Sequence, residues 1–146
     1  MKRCNIIIII ICIILIIISI YITYVIKSEE PCHPTWEAVV DVKPLLWLPL
    51  RPEDHVYALY EVTVTTDRNL KLELKGRGFP GVTTRTLIPE AEVSPGETVL
   101  YDSLEIIVDT YATPVIDVVC VDVNESGCEI PVFSDCIPVQ IASPAP

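Results

Sequence analysis

The chain has 146 residues, 51% of them hydrophobic, and a formal net charge of −10. That length allows one domain plus an appendage. From Ser28 onward seven basic residues stand against all 20 acidic ones, a net charge of −13 that excludes nucleic acid and anionic lipid headgroups as partners of this segment.

Residues 5–26 read NIIIIIICIILIIISIYITYVI, with no charge between Arg3 and Lys27. At roughly 1.5 Å per residue they span about 33 Å, against a hydrocarbon core of about 30 Å. A lone segment in lipid must satisfy its own backbone hydrogen bonds, so the stretch is expected to be one transmembrane helix. Its isoleucine, leucine and valine side chains favour insertion by about 5–10 kcal/mol. Ser19 and Thr23 are too weakly polar to reverse that. Tyr21 and Tyr24 suit the far interface. A cleaved secretory signal has a shorter apolar core and a small-residue cleavage site, and Val25-Ile26-Lys27-Ser28-Glu29 offers none. Residues 1–4, with Lys2 and Arg3, are expected in the cytoplasm. The rest is then outside, in a cell membrane or envelope, with membrane lipid as the partner of residues 5–26.

Residues 27–35 form a spacer held extended by Pro31 and Pro34. A β domain is expected over 36–142, before a frayed tail at 143–146. Glu37 to Val42 reads as an edge strand, followed by irregular Leu45-Leu46-Trp47-Leu48 between Pro44 and Pro49. Val56, Ala58, Tyr60, Val62 and Val64 alternate with polar residues. Leu70, Leu72 and Leu74 alternate with Lys71, Glu73 and Lys75. Residues 76–81 are turn material, and Val82 to Ile88 reads as one strand. Ser94-Pro95-Gly96-Glu97 is a turn. Leu104, Ile106 and Val108 mark the next strand. Val115 to Val123, nearly all β-branched, reads as a central one. Asn124 to Gly127 turns the chain, Cys128 to Cys136 reads as a loop, and Pro138 to Ala142 closes the domain. Seven or eight short strands without an amphipathic helix predict an all-β fold, an antiparallel two-sheet sandwich.

The stretches Glu92-Val93-Ser94-Pro95-Gly96-Glu97-Thr98-Val99 and Tyr111 to Asp122 resemble the second half of immunoglobulin-like or fibronectin type III-like sandwiches. In those domains a PGE turn precedes a strand, and a strand opening near a tyrosine follows. The resemblance implies an Ig-like fold and an interaction role. It supplies no site residues, and Cys120 has no cysteine facing it in the Val56 to Thr66 strand.

Four cysteines, Cys32, Cys120, Cys128 and Cys136, lie in the acidic segment. Structural disulfides are expected there, with free thiols or metal as the alternatives. Cys128–Cys136 is the first pairing to test and Cys32–Cys120 the second, unless Cys120 is a buried thiol. Asn124-Glu125-Ser126 is a glycosylation sequon at Asn124. His33 and His55 show no serine–acid pattern, and no metal-ligand spacing occurs, so no catalytic residue, metal or cofactor is expected. Asp102, Asp109, Asp117 and Asp122 read as solvated, and Trp36, Trp47 and Phe79 as core. These features suggest a non-enzymatic structural or protein-binding module at a cell or virion surface. Its partner is another protein or its own copies, met at open sheet edges. One alternative resembles an archaeal type IV pilin, a filament subunit with its helix in the filament core. The other is a small surface hydrolase.

Overall fold

The computed structural model describes residues 11–22, 35–45, 49–128 and 133–143. The chain divides into two units, Met1–His33 and Pro34–Pro146. In the first, residues 11–22 are helical and expose their apolar side chains. These residues cover about 18 Å of axis. No described helix is long and apolar enough to cross a membrane. Residues 5–10 and 23–26 of the expected span lie outside the described residues, as do Cys32, His33 and Trp47.

The second unit holds eight strands among the described residues: β1 (Glu37–Val42), β2 (His55–Thr66), β3 (Leu70–Arg77), β4 (Val82–Thr86), β5 (Glu90–Val93), β6 (Gly96–Val108), β7 (Val115–Glu125) and β8 (Phe133–Ile141). They form two four-stranded antiparallel sheets, ordered β1-β2-β6-β4 and β5-β3-β7-β8. Period-two alternation sends Val62, Val64, Leu104 and Ile106 inward from the first sheet. Leu72, Leu74, Val121 and Val123 meet them from the second in one core. Each such side chain, fully buried, stabilises the fold by about 1.5–3 kcal/mol. Trp36 is in the core with its ring centroid 5.0 Å from that of Phe133. Phe79 packs against the same core.

Three segments differ from the sequence-based expectation. Val82 to Ile88 is not one strand. β4 ends at Thr86, and the chain then crosses between sheets. The Leu87 amide donates to Ser103 of the first sheet, while the Pro89 carbonyl accepts from Leu74 of the second. β6 starts at Gly96, well before Leu104. Its first half was masked because Val99 and Tyr101 put apolar side chains on the solvent face, which blurs the alternation. The region between Cys128 and Cys136 is not all loop, since β8 begins at Phe133.

The sheet edges are also arranged differently. β1 and β8, expected as open edges, lie against each other. The Val42 amide donates to Asp135 Oδ2 at 2.8 Å, and Leu50 bridges to Ile141. Two aspartates expected in solvent have structural partners instead. Asp102 accepts from the Tyr60 hydroxyl at 2.6 Å and from the Ile88 amide at 2.9 Å, which pins the crossover. Burial first, then Asp102, pushes the Tyr60 phenol well above its ordinary pKa. Asp122 is buried under Arg77, which donates to it from Nε at 3.0 Å.

Candidate functional site

The outer face of the first sheet is built in rows by strand register. Glu37, Thr65 and Glu97 form the first row across β1, β2 and β6. Val39, Thr63 and Val99 form the second, and Asp41, Glu61 and Tyr101 the third. Leu59 and Ser103 follow, with Lys43 and Leu87 beside them. Tyr57, Glu105 and Arg85 make the next row, and His55, Ile107 and Thr83 the last. An outward position on a sheet ordinarily carries a polar residue. Here Val39 is 68% exposed, Leu59 64% and Tyr101 70%, with Tyr57 and Leu87 also exposed. Contiguous exposed apolar surface on a sheet face marks a contact site more often than chance.

A nearly buried carboxylate organises one end of this face. Glu105 Oε1 accepts from His55 Nε2 at 2.7 Å and from the Tyr57 hydroxyl at 3.3 Å. Its Oε2 accepts from Arg85 Nε at 2.6 Å and Nη2 at 2.5 Å. The His55 and Tyr57 rings lie 5.2 Å apart, centroid to centroid. Glu105 is thus covered by a single layer of side chains resting on the sheet. Burial works to raise its pKa. The hydrogen bonds from His55 and Arg85, the Arg85 charge and the Tyr57 hydroxyl outweigh that and hold it below the ordinary glutamate value.

This cluster is suited to holding side chains rigid. Both carboxylate oxygens are engaged, and His55 is turned toward Glu105. Ser103 sits opposite Leu59, two rows from His55, so the register keeps that hydroxyl out of the imidazole's reach. No group of three or more metal-ligating side chains occurs among the described residues.

Of the cysteines and the sequon singled out in the sequence, Cys120, Asn124 and Cys136 lie on the other sheet and Cys128 follows β7, while Cys32 lies outside the described residues. Cys120 and Cys136 face each other directly across β7 and β8 and are disulfide-bonded, with Cα atoms 4.0 Å apart. This corrects both expected pairings. Cys136 belongs to a strand whose register places Cys120, not Cys128, beside it. Cys128 is also disulfide-bonded. Cys12 is a free thiol. Asn124 is only 2% exposed, and its Nδ2 donates to the Cys128 carbonyl at 3.3 Å. The sequon's acceptor nitrogen is therefore buried and engaged, and a glycan there would require the turn to open. Sequence reasoning missed Glu105, Tyr57 and Arg85 and gave His55 no role. Their one signal was an acidic residue, Glu105, set between Leu104 and Ile106 in the apolar end of its strand.

No family model matches the sequence, and no curated protein matches it. Several solved structures share the outline. A FixG-related protein from Vibrio parahaemolyticus is 16% identical over 75% of this chain and 96% of that one, with a TM-score of 0.47. The ASH/PapD-like domain 7 of human CEP192 is 8% identical over 74% and 87%, with a TM-score of 0.47. SSP-19, an MSP-domain protein of Caenorhabditis elegans, is 13% identical over 64% and 92%, with a TM-score of 0.36. At this level the likenesses carry no argument about superfamily or activity.

Proposed function

We propose that this chain is a membrane-tethered binding module, which acts by presenting the outer face of its first sheet to another protein and not by catalysis. The observation that carries this reading is the exposure of Val39, Tyr101 and Leu59, from three successive rows, on a face whose other end is stiffened by Glu105. Tyrosine and arginine are the residue types most often found as binding anchors, and Tyr57, Tyr101 and Arg85 all project from this face. Rigid anchors lose little entropy on binding.

Tethering is supported by the uncharged run at residues 5–26 and by the apolar side chains that residues 11–22 expose on their helix. The Cys120–Cys136 disulfide supports an oxidising, extracytoplasmic location for the sandwich. Lys2 and Arg3 support a cytoplasmic N-terminus.

Two measurements test the reading. Membranes from cells making the protein are extracted with alkaline carbonate. The protein should stay with the lipid, and its release would remove the tether. A photo-crosslinking residue is then placed at Leu59, or at Ser134 on the other sheet as the control. A specific adduct from Leu59 alone is expected. Equal adducts from both positions, or none from Leu59, would contradict a dedicated face.

A further inference from the structure

We infer that the partner of this face carries an apolar centre bordered by lysine or arginine. The inference rests on the binding reading above and adds the partner's chemistry.

The face is electrically lopsided. Its first three rows hold four carboxylates, Glu37, Glu97, Asp41 and Glu61, around Val39, Val99 and Tyr101. Among the described residues Lys43 is the one base beside them, and it pairs with Asp41. Glu37, Glu61 and Glu97 make no ion pair among the described residues. At the opposite end Glu105 is already matched by Arg85 and His55.

The register sharpens this. Asp41 and Glu61 are direct cross-strand neighbours, and like charges so placed destabilise a sheet. The free fold gains nothing from that pair, and a cationic partner would relieve it. Complementary potential across a contact also selects partners and speeds encounter. The same charges disfavour the other occupants. Two copies meeting through this face would oppose carboxylate to carboxylate. An anionic bilayer surface would be repelled.

The full chain in detergent micelles is titrated with two labelled short peptides, one alternating leucine and lysine and the other leucine and glutamate, followed by fluorescence anisotropy. The variants are Tyr101→Ser, the double Glu61→Gln/Glu97→Gln, and Tyr111→Ser as an exposed control away from this face. The lysine peptide is expected to bind, and to lose about tenfold in affinity with Tyr101→Ser and with the double variant but not with Tyr111→Ser. The glutamate peptide is expected not to bind. If both peptides bind and both depend on Tyr101, the docking face stands and the basic partner is overturned. If the lysine peptide binds regardless of Tyr101, the contact lies elsewhere and both readings fall. Absence of binding by the lysine peptide overturns the basic partner.

Discussion

Glu105 of β6 and Arg85 of β4 sit directly opposite each other, the carboxylate side chain 4% exposed and the guanidinium 68%. Burial alone would raise the pKa of the acid, and the hydrogen bond from His55, then the hydrogen bond and charge of Arg85, outweigh it and keep the acid ionised. The folded pKa of Glu105 lies below its ordinary value of 4.5. A carboxylate of this kind adds stability above its unfolded pKa, and that stability is lost as pH falls through the folded pKa. The thermal midpoint of Glu105→Gln should therefore fall below that of the native chain at pH 7. The gap should close as the pH drops below about 4.5. Melting curves at neutral and acidic pH check this, and an equal gap at both would show that the charge of Glu105 contributes nothing.

The Cys120–Cys136 bond closes a loop across a sequence separation of 16 residues. Restricting a loop of that size in the unfolded chain contributes about 3 kcal/mol. Replacing both cysteines by alanine should lower unfolding stability by about that amount and leave the sandwich formed, because β7 and β8 remain paired along their length. Peptide mapping without reductant should recover a fragment joining Cys120 to Cys136. Recovery of Cys128 joined to Cys136 would contradict the strand register here.

Two glycines in the β3–β4 region are required by crowding. A Cβ at Gly78 would lie 2.1 Å from the Val82 carbonyl oxygen. One at Gly76 would lie 2.7 Å from Leu104 Cδ1 and 3.0 Å from the Arg85 amide nitrogen. Gly96 has a φ of +112° and open space around it, so a side chain there meets only backbone strain. Overpacking costs about 1–3 kcal/mol, and Gly78→Ala should sit at the upper end because its obstacle is backbone. Denaturant unfolding should show both Gly76→Ala and Gly78→Ala destabilised. A neutral Gly78→Ala would mean that the turn can move away from β4.

What could be read from the sequence follows from the range of the signals. The Leu70, Leu72, Leu74 alternation is local, and it appears as β3 with those three side chains buried. The Val115 to Val123 run became a strand flanked on both sides, as its largely β-branched character implied. The Glu105 cluster is assembled from β2, β4 and β6, and only the register brings its members together. No spacing along the chain encodes that. The disulfide was misread for a related reason. Ser134 and Cys136 lie on the outer side of β8 in a stretch that reads as loop, and the expected last strand starts only at Pro138, which hid the pairing that sets Cys136 against Cys120.

The Asp41–Glu61 pair gives a prediction in which stability and binding move in opposite directions. Lys43 engages Asp41, and the raised pKa of that lysine comes first from its hydrogen bond to Asp41, with Glu61 a smaller contributor. Glu61 therefore remains largely uncompensated, two positions along β2 from exposed Leu59. Glu61→Lys converts a repulsive cross-strand contact into an attractive one. It should raise the stability of the free domain by about 0.2–1 kcal/mol. The same change removes a carboxylate from the acidic end of the face, so affinity for a basic apolar partner should drop even as the melting temperature rises. Paired measurements on one variant, unfolding and peptide binding, decide between the alternatives. A variant that is both more stable and an equal binder would mean that the acidic rows serve solubility and take no part in recognition.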